Sequence, residues 1–266
     1  MSTETYSEGE NPEEIPYMLA LFDVLGFSDW LERTSLKQIV TIYERLLERA
    51  VNRDEEPSLG AVRVDGGRVF TVYNFKARTV YFSDTIIVWV PMVQTFVWSF
   101  INTCSELICD ALDIGILLRG AVAQGIAVMH RPTGIYIGKP LVNAVRLERA
   151  QDWCGVTLHH SATWPPFLAE IHPTQILEYD AHLKPGSESL ASPIVIDWPR
   201  KWRETRTASA SAEIQKLNRD SRFTKYYDNT VEFIDFSAAN EDWHTKPDAA
   251  SDNRKLRIVR GENASH

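Results

Sequence analysis

The chain has 266 residues, 44% hydrophobic and 24% charged, and its 28 Lys and Arg against 36 Asp and Glu leave a formal net charge of −8. That length and composition fit one large globular domain, or one domain with an extension. The acidic balance argues against a general nucleic-acid binder, and no run of about 18 apolar residues is present to span a membrane.

Residues 1–14 are acidic and polar, and they read as a disordered lead-in without the charged and apolar regions of a secretory signal. Tyr17–Val24 (YMLALFDV) is an apolar run of strand length, closed by a turn at Leu25-Gly26-Phe27-Ser28. From Ser35 to about Ala50 the residues Leu36, Ile39, Val40, Tyr43, Leu46 and Leu47 predict one face of an amphipathic helix. The charged, glycine-containing stretch 52–67 predicts a loop. Val69–Phe75 and Thr79–Pro91 are rich in β-formers, and Pro91 ends the second. Thr95–Leu112 predicts a second helix, and Ile114–Met129 a further strand region interrupted by Gly120 and Gly125. Arg131-Pro132-Thr133-Gly134 is a turn. Pro140–Gln151 predicts a third helix and Gly155–His159 another strand.

This β-α-β-β-α-β order predicts an α+β, ferredoxin-like antiparallel sheet with helices on one face. Beyond about Pro165 the pattern weakens. Ile194–Trp198 and Thr230–Phe236 read as late strands, Arg200–Arg222 as an exposed helix, and the residues from about Lys246 as a disordered tail. The domain reading is therefore a core at 15–165, an extension packed on it at 166–245, and loose ends at 1–14 and 246–266. Cys104, Cys109 and Cys154 are too few and too odd in number for a disulfide framework. They read as thiols of a reducing cytoplasm. Neither a G-x-S-x-G elbow nor a P-loop is present. His159, His160, His172 and His182 read as structural or exposed, because adjacent strand residues face opposite ways and rarely share a metal.

Two carboxylates stand out. Asp23 ends the first apolar strand, and Asp84 sits inside VYFSDTIIVWV, an acid among β-formers. The predicted sheet places the strand of Asp23 beside the strand or hairpin of Asp84. Carboxylates at adjacent strand ends suit hard divalent cations and phosphoryl chemistry. The turn between Leu25 and Ser28 offers backbone amides to phosphate groups, and Gly26 permits close approach. Each acid taken alone also fits a plainer role: Asp23 as the cap of the following helix, Asp84 as a solvent-facing hairpin residue.

Four motifs in order go further. Phe22-Asp23-Val24-Leu25-Gly26-Phe27-Ser28 resembles the first metal motif of class III nucleotide cyclases, and Phe82-Ser83-Asp84 resembles the second. Arg119–Gly125 resembles their central strand, and Gly138 through Arg146-Leu147-Glu148 the helix that ends their signature. The resemblance spans about Tyr17 to His159. Within the superfamily the chain is most similar to the pyrimidine cyclases of the bacterial anti-phage system called Pycsar, through FDVLGFSDW, YIGKPLVNAVRLERAQ and the late KYYDNTVEFI segment.

The resemblance implies a set of roles. Asp23, Asp84 and the Val24 carbonyl would hold two Mn²⁺ or Mg²⁺ ions. The nucleotide would lie against Phe22, Val24, the Leu25-Gly26-Phe27-Ser28 turn, Val80 and Tyr81. Arg146, eight residues after Gly138, matches the arginine that stabilises the transition state and that comes from the partner of a head-to-tail homodimer. The family's asparagine slot holds Val142 instead, with Asn143 one place later, and one helical step turns a side chain by about 100°. The two slots that read a purine base hold Val80 and Ile135, which cannot hydrogen-bond a base edge. Tyr81, Tyr136, backbone groups or simple size are left to read it. The implied activity is cyclisation of UTP, with CTP second, in a cytoplasmic enzyme whose product activates a separate effector in anti-phage defence. Two alternatives stay open: an adenylyl or guanylyl cyclase on the same core, and a non-catalytic nucleotide-binding dimeric relative.

Overall fold

In a computed structural model, the described residues are 12–51, 59–65, 68–73, 77–162, 175–217 and 220–242. The expectations for the extreme N-terminus, for the boundary near 165 and for the tail from 246 lie outside them.

The apolar run forms β1 (Ile15–Val24), which pairs antiparallel with β5 (Thr85–Pro91) on one side and β6 (Leu118–His130) on the other. A strand flanked on both edges and covered on both faces must be apolar throughout, and Met18 to Phe22 are all buried. β4 (Arg78–Phe82) joins β5 through a hairpin at Ser83-Asp84, where Ser83 takes a left-handed φ of 55°. β7 (Ile135–Gly138) folds back on β6. β8 (Val156–His159), β10 (Ala191–Ile196) and β9 (Ile176–Glu178) complete the order β4-β5-β1-β6-β8-β10-β9. β8 runs parallel to β6, so the sheet is mixed rather than wholly antiparallel. β2 (Leu59–Asp65) lies inside the stretch expected as a loop, and it forms a separate hairpin with β3 (Arg68–Tyr73), which overlaps the expected β-rich segment Val69–Phe75.

Alternation along β1 divides the core. Met18, Ala20, Phe22 and Val24 face α2 (Leu36–Val51) and α3 (Gln94–Asp113). Tyr17, Leu19 and Leu21 face the opposite side, where Ala144 of α4 (Lys139–Ala150) packs on them. Helices therefore cover both faces, which corrects the one-face expectation. Within α2, Ile39, Tyr43 and Leu46 are buried at i, i+4, i+7, while Leu36 and Val40 are exposed, so the apolar stripe is narrower than the sequence predicted. A short helix, α1 (Phe27–Arg33), starts inside the predicted turn. The three cysteines are free and buried; burial pushes the Cys109 and Cys154 thiols up to about 12.

The late region differs most from expectation. Arg200–Arg222 is not one helix but α5 (Trp198–Thr205), α6 (Ala210–Lys216) and a 3₁₀ turn at Ser221–Phe223. Asp197 starts α5, accepting a hydrogen bond from the Arg200 amide at 3.3 Å. Thr230–Phe236 is not a strand; it lies within α7 (Thr224–Ala239). Its apolar-polar alternation looks strand-like, but Thr230, Phe233, Ile234 and Ser237 are buried at helical spacing. Trp198, Trp202, Phe233 and Ile234 join the same core as α3, so the extension is continuous with the sheet and its packing.

Candidate active site

Asp23 and Asp84 meet at one end of the sheet. Asp23 pairs across to Thr85, the residue after Asp84, and the Val24 amide donates to the Asp84 carbonyl at 3.1 Å. Both carboxylates are half-buried. Asp23 does not cap the next helix: the N-cap of α1 is Gly26, with no side-chain cap. The plainer role weighed for Asp23 therefore fails.

Asp23 is instead the cross-strand partner of Arg119 on β6. Arg119 Nη2 donates to Asp23 Oδ2 at 3.3 Å. Arg119 Nε donates to Glu148 Oε1 on α4 at 2.5 Å, and its Nη1 donates to the Gln151 carbonyl at 3.3 Å and to the Tyr226 hydroxyl at 3.4 Å. Burial pushes the Asp23 carboxyl up to about 6; Glu148 and Asp84 push the same way and Arg119 opposes them. Burial also raises Glu148, against the pull of Arg119. Burial alone would lower Arg119, but Glu148 and Asp23 more than offset it and hold that guanidinium above its ordinary value.

On the other face, Tyr43 of α2 is buried, stacked with Trp30 at 6.1 Å and edge-on to Phe27 at 6.0 Å. Among the described residues its hydroxyl has no hydrogen-bond partner. Burial, then the fields of Asp84 and Asp23, raise its ionisation well above the usual phenol range. A buried polar atom without a partner, beside two carboxylates, marks a place where the packing rules yield.

The remaining expected site residues divide by what the fold already asks of them. Phe22 is fully buried, and a side chain at Gly120 would stand 2.6 Å from its ring. Phe27 is a core residue too. The Leu25 amide is already given to the Leu117 carbonyl at 2.9 Å, which removes one of the amides expected to face phosphate. Gly26 holds φ 74°, the left-handed conformation that suits glycine, and Ser28 is exposed. Val80 packs with Tyr136 in the cluster under α4, while Tyr81, on the other face of β4, is exposed. Tyr136 lies edge-on to Trp89 at 5.5 Å.

Arg146 is exposed on α4, and among the described residues the cation that pairs with Asp23 is Arg119. The α4 register follows from its start: Gly138 is crowded so closely by Ala127 that a Cβ would stand 2.6 Å away, and Pro140 opens the helix. Val142 is then exposed and Asn143 half-buried. Arg119, Glu148 and Tyr226 are the neighbours of the site that sequence reasoning did not single out for a role, although all three lie inside quoted motifs.

Among the described residues, no group of three or more His, Cys, Asp or Glu is placed to hold a metal. Two adjoining acids do not make a closed metal cage. They fit a cation that arrives with phosphate oxygens to complete its shell, as magnesium-type sites commonly do. No helix among the described residues is long and apolar enough to cross a membrane.

No protein-family model matches the chain, and comparison with curated proteins gives no match. Among solved structures it is similar to a bacterial light-regulated adenylyl cyclase, at 12% identity over 77% of this chain and 57% of that one, with a TM-score of 0.47. It is also similar to the adenylyl cyclase CyaB from P. aeruginosa, at 11% identity over 70% of this chain and 95% of that one, TM-score 0.45. A third is the guanylyl cyclase Cya2, at 11% identity over 70% and 91%, TM-score 0.40. Likeness at this level leaves the chemistry to the chain's own residues.

Proposed function

We propose that the chain is a nucleotide cyclase that converts a pyrimidine nucleoside triphosphate, UTP ahead of CTP, into its 3′,5′-cyclic monophosphate and pyrophosphate. The observation that carries this reading is the meeting of Asp23 and Asp84 on adjoining strand ends beside a left-handed glycine turn. Divalent cations, two Mn²⁺ or Mg²⁺ held by Asp23, Asp84 and the Val24 carbonyl, would supply Lewis acidity at the phosphates and acidify the attacking hydroxyl.

The ribose 3′-oxygen bonds to the α-phosphorus as the bond to the β-phosphate oxygen breaks, and the hydroxyl proton leaves to solvent. The amides of Gly26 to Ser28 face the phosphates, with the Leu25 amide excluded because it is engaged. Arg146, exposed on α4, stabilises the charge that builds on the α-phosphate, and it does so from the partner copy of a homodimer. Exposed Ile126, Ile137 and Val142 on β6, β7 and α4 support such a contact. Val80 and Ile135 offer no hydrogen bond to a purine edge, which supports the pyrimidine assignment. A cytoplasmic role in anti-phage defence, with a separate effector reading the cyclic nucleotide, completes the proposal and rests on the motif resemblance.

The test is incubation of the purified full chain with Mn²⁺ and ATP, GTP, CTP or UTP in turn, with products identified by mass spectrometry. Cyclic UMP or cyclic CMP alone is the expected result. Cyclic AMP or GMP would keep the mechanism and overturn the pyrimidine assignment. No cyclic product from any of the four would favour the nucleotide-binding alternative, which the Val142 departure motivates.

A further inference from the structure

Arg119 is held more tightly than a strand-pairing arginine needs to be. Its side chain is 12% exposed, and Glu148, which it pairs, is 4% exposed. Its five N–H groups reach four partners on separate parts of the fold: Asp23 on β1, Glu148 on α4, the Gln151 carbonyl after α4, and Tyr226 on α7. The guanidinium also lies over the Tyr226 ring at 5.6 Å, where cation–π attraction adds to the hydrogen bond. A planar fork fixed at this many points cannot swing.

Tyr226 is itself pinned. Its neighbour Lys225 donates to Asp152 Oδ2 at 2.6 Å, and Asn229 Nδ2 donates to the Asp152 carbonyl at 2.8 Å. One turn further, the Cys154 amide donates to Thr230 Oγ1 at 2.8 Å. These three contacts tie the first turns of α7 to the loop between α4 and β8. Just before α7, Phe223 lies against Gly26, 3.4 Å from where a Cβ would be, so the same segment also backs the turn after β1.

We propose that Arg119 and Tyr226 are positioning residues for Asp23. The late helix α7 reaches back through the Tyr226 ring and hydroxyl to fix the guanidinium, and the guanidinium fixes one carboxylate oxygen of Asp23. Among the described residues no hydrogen bond reaches Asp23 Oδ1, so the clamp leaves that oxygen available to a cation. The extension is then part of the active site rather than an appendage to it. A buried charge cluster of this kind is a poor source of stability compared with apolar packing of the same volume, which favours positioning over stabilisation as its purpose. Outer partners that orient a metal-holding side chain typically carry about 10- to 100-fold in metal affinity or activity. This inference rests on the reading of Asp23 and Asp84 as metal acids.

The experiment measures Mn²⁺ binding to the full-length protein by electron paramagnetic resonance, first alone and then with a 3′-deoxy pyrimidine triphosphate that supplies phosphate oxygens and cannot cyclise, together with thermal midpoints. The set is wild type, Asp84→Ala, Tyr226→Phe, Tyr226→Ala and Arg119→Lys. Tyr226→Phe keeps the ring and loses the hydroxyl, so Mn²⁺ affinity falls a few-fold with the midpoint nearly unchanged. Tyr226→Ala and Arg119→Lys lower affinity by about 10- to 100-fold. A structural role alone would move the midpoints of these variants and leave Mn²⁺ affinity at the wild-type value in the folded protein, which overturns the proposal. Should Tyr226→Ala fail to fold, Tyr226→Phe decides. If Asp84→Ala binds Mn²⁺ like wild type, or wild type binds none even with the triphosphate analogue present, the two-acid reading itself falls. If Asp84→Ala abolishes binding while the Tyr226 variants bind normally, only the positioning inference falls.

Discussion

Midway along β1, Leu19 and Ala20 are wholly buried among apolar neighbours. A few residues on, Asp23 shares its cross-strand level with Arg119, and Arg119 in turn pairs Glu148. The same strand, flanked by the same two partners, thus changes from a core that stabilises the fold to a tip that carries charge at a cost. The cost is visible in the Asp23 carboxyl, which burial pushes up to about 6 even with an arginine in contact. Local violations of the packing rules are expected where a fold does chemistry, and three gather at this tip: a half-buried acid with a raised pKa, a shared guanidinium and a Tyr43 hydroxyl without a partner among the described residues.

The contrast can be broken from either side, and the largest effect is expected at the core. Phe100 is fully buried on α3. Phe100→Ala should cost about 3–5 kcal/mol of unfolding free energy in denaturant titrations, with the chemistry of the remaining folded protein intact. Arg146→Ala should do the reverse. Because Arg146 is exposed, the thermal midpoint should hold while kcat falls by about 100- to 1,000-fold.

Asp23→Asn sharpens the comparison through pH. A carboxyl whose folded pKa lies above its unfolded value binds more protons folded than unfolded between the two values. Its contribution to stability is therefore present at about pH 4 and is lost as pH rises through about 6. Asparagine does not titrate. The stability of Asp23→Asn relative to wild type, both without metal, should therefore improve between pH 4 and pH 8, by at most about 3 kcal/mol. A gap independent of pH would remove the electrostatic cost from the account. The smallest effect is expected at Lys225, whose side chain is 63% exposed in its pair with Asp152. Lys225→Ala should change stability by less than about 1 kcal/mol.

The same division governs what the sequence could reveal. β1, α3 and α4 are written in local apolar patterns, and the adjacency of Asp23 and Asp84 follows once β1 and the hairpin pair. The α7 segment reads as a strand because Val231 and Phe233 alternate with Thr230 and Glu232 over a short window, while its burial spacing emerges only over a longer one. β8 running parallel to β6 could not be read at all, since pairing direction is a property of the whole topology. Arg119 and Tyr226 each sit in a motif, yet nothing local says that one lies over the other. That contact depends on β6 register and on where α7 docks. The engagement of the Leu25 amide with Leu117 was hidden for the same reason.

The central claim is that Asp23 and Asp84 together make the catalytic centre. Its most direct test compares wild type with Asp84→Ala at matched folded concentration, with Mn²⁺ and the preferred triphosphate, following cyclic nucleotide and pyrophosphate together. The account predicts both products in equal amounts from wild type, and loss of both in Asp84→Ala with secondary structure retained by circular dichroism. Equal turnover by the variant would contradict it.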